Sequence, residues 1–308
     1  MSKLLKFEEH HKPFDLNIDY MLTFKCNYDC SYCTSHDVHH PLHKYSAETI
    51  SNSLNYLHDL YDNKKTQLKL LGGEPFLYKN LLKIVDLLNN NITVRVITNL
   101  SIPLTYIKKY FSNYSDKIII AASYHAEFAD PDSFIEKVLY LKKLKFNINV
   151  PVAMHPDKKL FNKCVYVLDR LPNISKPVLL SKMGENNQIF GKTYYYSPQQ
   201  LETLKKFSKK INKQFKATYD DKIKYSSFFD IVSQNLDNFK GMSCYAGHQK
   251  IHVKENGDVY PSACFLNTSV RLGNMFKRTI KRPDSVVTCP FTFCRCQSDL
   301  QITKEARI

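Results

Sequence analysis

The stretch IDYMLTFKCNYDCSYC, residues 18–33, joins an apolar run to a loop holding three cysteines, Cys26, Cys30 and Cys33, in the spacing CxxxCxxC. Residues 18–24 read as a β-strand, and the cysteine loop follows it directly. Three thiols form an odd set. A structural zinc site takes four ligands and a disulfide framework takes pairs. The spacing therefore points to a metal centre with one coordination position left open, which marks a catalytic centre rather than a structural one.

Outward from this stretch, short apolar runs alternate with helical patterns. Strands are expected at 18–24, 66–72, 92–98, 117–123, 146–154 and 176–182, with helices at 46–62, 76–90, 103–112, 130–145 and 157–171 between them. In the first helix Ile50, Leu54, Leu57 and Tyr61 share one face, and Ser46 stands at the N-cap position. Six β–α alternations predict an α/β fold with parallel strands and outer helices. Right-handed crossovers wind such a chain into a partial (β/α)6 TIM-like barrel. Chemistry collects at the C-terminal ends of the strands in such folds, which is where the cysteine loop falls. Residues 183–240 read as a connecting, mainly helical segment with a helix at 226–240. From 241 to 308 the chain changes character to a small cysteine-rich β-hairpin domain, with the hairpin turn at Asn256-Gly257.

The bulk properties bound the reading. The 308 residues are 43% apolar, enough for a large core. The first fifteen residues hold no signal-peptide pattern, and no run reaches the length of a membrane span. A soluble, cytoplasmic protein without membrane association is expected, with reduced thiols. Eight of the nine cysteines fall in two sequence clusters, which favours metal binding, while Cys164 stands alone in a helical pattern and reads as a small buried hydrophobe. The net charge of +15 comes from lysines spread along the whole chain, so the bias reads as solvated helix faces more than as a nucleic-acid surface.

The second expected strand ends in GGEP, Gly72 to Pro75. Glycines there allow close backbone approach to a ligand, and Glu74 supplies a carboxylate acceptor suited to an ammonium group. A [4Fe–4S] cube is normally held by four thiolates, so three leave one iron open. With CxxxCxxC after the first strand and GGEP after the second, residues 18–182 resemble the radical S-adenosylmethionine (radical SAM) enzymes. The resemblance implies a [4Fe–4S] cluster on Cys26, Cys30 and Cys33, whose open iron chelates S-adenosylmethionine. It places Gly72, Gly73, Glu74 and Pro75 beside the methionine moiety and Tyr32 beside the adenine. Thr98 and Asn99, with Ser123 and His125, fall at the strand ends near the ribose and carboxylate.

The tail, with Cys244, Cys264, Cys289, Cys294 and Cys296, resembles the SPASM and twitch extensions of many radical enzymes, in the shorter, twitch-type form. That resemblance implies one auxiliary [4Fe–4S] cluster on Cys244, Cys264 and two of the last three, with the tight Cys294–Cys296 pair slightly favoured. A leftover cysteine, or Cys164, is a candidate hydrogen-atom donor, as is Cys289.

The implied function is reductive cleavage of S-adenosylmethionine to a 5′-deoxyadenosyl radical. That radical abstracts hydrogen from a peptide or small-molecule substrate, a sugar included, leading to oxidation, cross-linking or epimerisation. A low-potential electron donor such as flavodoxin or ferredoxin is the implied partner. The alternative is a basic zinc-binding protein for nucleic acid, in which His36, His39, His40 and His43 would join the thiolates of the first loop. That reading leaves GGEP and the βα alternation without a purpose. His248 and His252 read as surface residues of the hairpin region, and the tyrosines of 193–197 as core.

Overall fold

The structure, a computed structural model, describes residues 2–33, 39, 41, 44–184, 189–208 and 214–307. His36, His40 and His43 lie outside the described residues. The first half of the chain forms β1 (Leu4–Glu9), β2 (Leu16–Thr23), α1 (Ala47–Leu60), β3 (Thr66–Gly72), α2 (Leu81–Asp86), β4 (Ile92–Thr98), α3 (Leu104–Tyr110), β5 (Ile118–Ala122), β6 (Tyr124–His125), α4 (Pro131–Lys143), β7 (Asn147–Met154), α5 (Lys158–Arg170) and β8 (Ser175–Leu179). Strands β2, β3, β4, β5, β7 and β8 are the six expected from the sequence, and they pair in parallel in that order. The sheet stays open, so the barrel is partial.

Local chemistry sets these elements. Ser46 caps α1 by accepting from the Thr49 amide, and Ile50, Leu54, Leu57 and Tyr61 are fully buried on one face. Asp130 and Asp157 cap α4 and α5 in the same way. β4 alternates buried and half-buried residues along its whole length, while β2 and β3 are buried on both faces over most of theirs. Leu16, Ile18, Tyr20 and Leu22 of β2, Leu68 and Leu70 of β3, and Val94 and Val96 of β4 are buried in the core beneath the helices. Burying each such side chain contributes about 1.5–3 kcal/mol.

Two expected helices are shorter than their patterns. The 76–90 segment divides into a 3-10 turn, Pro75–Leu77, and α2. The 226–240 segment is helical only over Phe228–Ser233, opened by a Ser227/Asp230 capping box and closed at Asn235, whose φ of 52° ends the helix in the left-handed region.

The second half forms β9 (Ser181–Met183), β10 (Phe190–Thr193), α6 (Pro198–Ser208), β11 (Phe215–Tyr219), β12 (Ile223–Ser226), α7 (Phe228–Ser233), β13 (Ser243–Cys244), β14 (Lys250–Val253), β15 (Asp258–Tyr260), β16 (Gly273–Asn274), β17 (Val287–Thr288), α8 (Gln297–Leu300) and β18 (Lys304–Glu305). The expected hairpin is present, with β14 antiparallel to β15 and Gly257 at φ +84°. Yet β14 also joins the barrel sheet as a parallel neighbour of β2. A second, six-stranded sheet, ordered β12-β11-β1-β18-β13-β17, ties the N-terminal strand to the tail. Among the described residues no helix is long and apolar enough to cross a membrane.

Candidate active site

The ends of β2, β3, β4 and β5 converge on the cysteine loop. Leaving β2, the chain passes so close to the end of β3 that the Gly73 amide donates to the Thr23 carbonyl at 2.7 Å and the Glu74 amide to the Lys25 carbonyl at 2.9 Å. A Cβ on Gly73 would stand 2.1 Å from the Lys25 oxygen, and one on Gly72 would stand 2.0 Å from the Thr23 oxygen. The glycines therefore serve the approach of the loop backbone first, a role the sequence did not disclose.

Glu74 is fully buried. Its carboxylate accepts from the Phe76 amide at 3.0 Å, the Thr98 hydroxyl at 2.8 Å and the Asn99 amide at 2.7 Å. It is a clamp between the ends of β3 and β4 rather than an exposed acceptor. Burial raises its carboxyl to about 7, against these hydrogen bonds, which lower it.

Asn99, held by that clamp, turns its side-chain amide to the Asn27 oxygen at 3.0 Å and towards the Cys26 sulfur at 3.9 Å. The Tyr28 amide points at the same sulfur from 3.4 Å, and the Cys33 amide closes a turn on the Cys30 carbonyl at 2.9 Å. Cys26 is half-buried, Cys30 buried and Cys33 exposed. Burial pushes the Cys30 thiol up to about 12, and it raises Cys26 as well. Tyr32 donates to or accepts from His125 Nδ1 at 2.8 Å and lies nearly parallel to that ring, 6.0 Å between centroids. Burial lowers His125 to about 4, so the ring is neutral at pH 7. The Ser123 amide bonds the Thr98 carbonyl at 2.7 Å, aligning the ends of β4 and β5.

Glu127 was not anticipated. It accepts from both the amide and the hydroxyl of Ser31, at 2.8 and 2.5 Å, and pairs with His155 Nε2 at 3.1 Å. It braces the cysteine loop from β6 and β7, a contact between residues 96 apart that no local pattern announces.

Residues 20–148, from within β2 into the start of β7, match the family model of the radical SAM superfamily. The chain carries a radical SAM domain. Enzymes of this superfamily use a [4Fe–4S] cluster and S-adenosylmethionine. Among solved structures with a similar fold is anSMEcpe with bound AdoMet, 17% identical, with a TM-score of 0.57 over 86% of this chain and 76% of that one. Another is Streptococcus suis SuiB bound to precursor peptide SuiA, 15% identical, with a TM-score of 0.59 over 86% of this chain and 63% of that one. No curated protein matches the sequence.

The three thiols of the radical SAM domain suit a cluster. They differ in burial, sit on one loop, and leave the strand ends around them lined with polar groups. Among the described residues no three His, Cys, Asp or Glu side chains are placed to hold one metal ion. A cubane has four irons and spreads its ligands more widely than a single ion does.

Behind the domain the five tail cysteines all have Asp299 as a charged neighbour. The charges of Cys244 and Cys289 act on the ionisation of Cys294, and those of Cys294 and Cys244 on that of Cys264. Cys289 follows β17 and donates its amide to Met242 at 2.8 Å, which sets it beside Cys244 on β13. Cys296 has Asp299, shared with the other four tail cysteines, and Lys250 and Asp19 as charged neighbours, and burial pushes its thiol up to about 11. Cys264, Cys294 and Cys296 line one small cavity together with Asp299, and α8 starts at Cys296. Cys164 is fully buried between α5 and β7, its thiol on the Ala153 carbonyl at 3.3 Å. Cys289 is buried too, its thiol 3.7 Å from the Phe291 carbonyl. His252 is a buried residue of β14 rather than a surface one, and both its ring nitrogens lack hydrogen-bond partners among the described residues. Tyr196 is core, with its hydroxyl on the Met154 carbonyl at 2.6 Å, while Tyr195 is 80% exposed.

Proposed function

We propose that this protein is a radical SAM oxidoreductase or maturase acting on a peptide or small-molecule substrate. Cys26, Cys30 and Cys33 would hold the cluster. The observation that carries the reading is the three-thiol loop, clamped through Gly73, Glu74 and Asn99 to the ends of β3 and β4. When bound, the cluster with S-adenosylmethionine supplies a 5′-deoxyadenosyl radical able to take hydrogen from an unactivated carbon.

The chain's own residues position and shield. Gly72 and Gly73, fixed by the β2 exit, would lie beside the methionine moiety with Pro75. The Glu74 clamp holds Thr98 and Asn99 in place below it. Tyr32, locked to neutral His125, gives a flat surface for the adenine, and Ser123 completes the polar rim. Such fixed donors and acceptors orient a bound molecule without reorganising, and they keep water from a reactive intermediate.

Residues 241–308 would form a twitch-type region, with Cys244, Cys264 and two of Cys289, Cys294 and Cys296 as ligands of one auxiliary [4Fe–4S] cluster. A low-potential flavodoxin or ferredoxin would deliver the electron. The SuiB complex holds a precursor peptide, which lends the peptide reading its support.

The test is iron, acid-labile sulfide and zinc per chain after anaerobic reconstitution, followed by 5′-deoxyadenosine formation under reduction. About eight irons per chain and 5′-deoxyadenosine are expected from two cubane clusters. Stoichiometric zinc without iron would overturn the assignment and favour the zinc-binding alternative.

A further inference from the structure

The face of the barrel strands turned away from the helices is polar, unlike the packed apolar interior of a closed (β/α)8 barrel. Strand register lines up Asp19, Lys69, Arg95, Ile119 and Asn147 across β2, β3, β4, β5 and β7. Along this face runs a cavity of about 990 Å³, at the upper end of the range for small-molecule sites. It reaches Ile97 and Ala121, each one residue below the end of its strand, so it comes up directly beneath the candidate active site.

Three cations line it, Lys69, Arg95 and Lys176. Lys69 is occupied: its ammonium meets the Ser298 hydroxyl at 2.6 Å, Gln301 at 3.0 Å and Asp19 at 3.7 Å. Arg95 and Lys176 make no side-chain hydrogen bond or ion pair among the described residues, and the buried Arg95 Nε has no partner. The carboxylate on the cavity wall is Glu9, which accepts from Gln301 at 2.8 Å. Burial, then the charges of Arg95 and Lys69, pull Lys176 down to about 8. Arg95 and Lys176 are both half-buried, and the charge of Glu9 also acts on Arg95. A buried N–H left without a partner, as at Arg95 Nε, still costs free energy. Such a cost persists where a ligand supplies the missing acceptor.

We propose that Arg95 and Lys176 bind an oxyanion of the substrate, a phosphate or carboxylate, in the lumen beneath the radical site. The inference rests on the function proposed above and narrows it to an anionic substrate. Arg95 precedes Thr98 by three residues, so the anion sits about 10 Å below the strand ends at the usual rise per residue. The guanidinium fork grips two oxygens and the ammonium adds a point charge. The amides of Asn147, Asn149 and Gln67 on the same wall are neutral hydrogen-bonding partners for the rest of the molecule.

The experiment is thermal unfolding of the anaerobically reconstituted protein in rising inorganic phosphate, or rising succinate, at constant ionic strength. A saturable rise in Tm is expected with at least one of the two, and the tighter one names the anion class. The apparent affinity should fall at least tenfold in Arg95→Gln and in Lys176→Gln, while Lys205→Gln, an exposed α6 control, should leave it unchanged. Without added anion, both lumen variants should melt at or above the wild-type temperature. Arg95→Lys serves if Arg95→Gln does not fold, and it too should bind more weakly through loss of the fork. No saturable rise with either anion, or equal affinity in wild type and lumen variants, would overturn the proposal. Formation of 5′-deoxyadenosine by the wild type is read separately. Its absence would remove the radical function and leave the anion site standing.

Discussion

Gly73 shows how a motif residue acts through its neighbour's backbone. Alanine there would put a methyl 2.1 Å from the Lys25 carbonyl oxygen, and backbone cannot move aside as a flexible side chain does. Gly73→Ala is expected to destabilise the chain by about 1–3 kcal/mol and to lower iron uptake at the first cysteine loop. Iron assay on a variant that also lacks the tail cysteines would check this. His252 carries a second consequence. Burial lowers its ring to about 4 from 6.5, so between those values the unfolded chain binds more protons than the folded one. Stability is then fully present above pH 6.5 and falls as pH drops towards 4, by up to about 3 kcal/mol. His252→Leu removes the titration and two partnerless nitrogens. Urea unfolding from pH 4 to 7 should show a flatter profile for it. A profile as steep as that of the wild type would place the pH dependence elsewhere.

Among the elements, β14 and α8 are joined to the barrel by charge. Lys250 on β14 reaches Asp19 on β2 at 2.8 Å and Asp299 on α8 at 2.5 Å, all three fully buried or nearly so. Burial alone would raise the Asp19 carboxyl, but Lys250 and then Lys69 hold it well below its ordinary range. Removing one partner of such a set leaves buried charge uncompensated. Lys250→Met should cost about 3–5 kcal/mol, measured by chemical denaturation, and adding Asp19→Asn should recover part of it. A cost below 1 kcal/mol would mean that water reaches the carboxylates.

For the whole molecule, the two sheets interlock the halves of the chain. The tail contributes β14 to the barrel sheet and β13, β17 and β18 to the sheet that contains β1. Ending the chain at residue 240 would expose the hydrogen-bonding edge of β2 and strip β1 of its β18 partner. The 1–240 fragment should lack cooperative unfolding and disperse its amide resonances poorly, because an uncovered apolar strand edge associates. A fragment that melts cooperatively at the full chain's temperature would show that the tail adds nothing to the barrel.

Much was legible in the order of residues. The six strands and their parallel order follow from local apolar runs and the handedness of crossovers, and CxxxCxxC and GGEP are contiguous signals whose position at strand ends is set by the strands before them. The polar lumen was equally written in LNIDYMLT, TQLKLLG and ITVRVIT, whose alternation puts Asn17, Asp19, Gln67, Lys69 and Arg95 on one face. What sequence alone determined is therefore whatever depends on neighbours along the chain: periodicity, caps, turns and the cysteine loop. Tertiary structure decided that Glu74 is a buried clamp, that Glu127 braces Ser31, that Cys264 shares a cavity with Cys294 and Cys296, and that the tail enters the barrel sheet. Each of these joins groups far apart in sequence, and which distant groups meet is set by the packing of the whole chain rather than by any local preference.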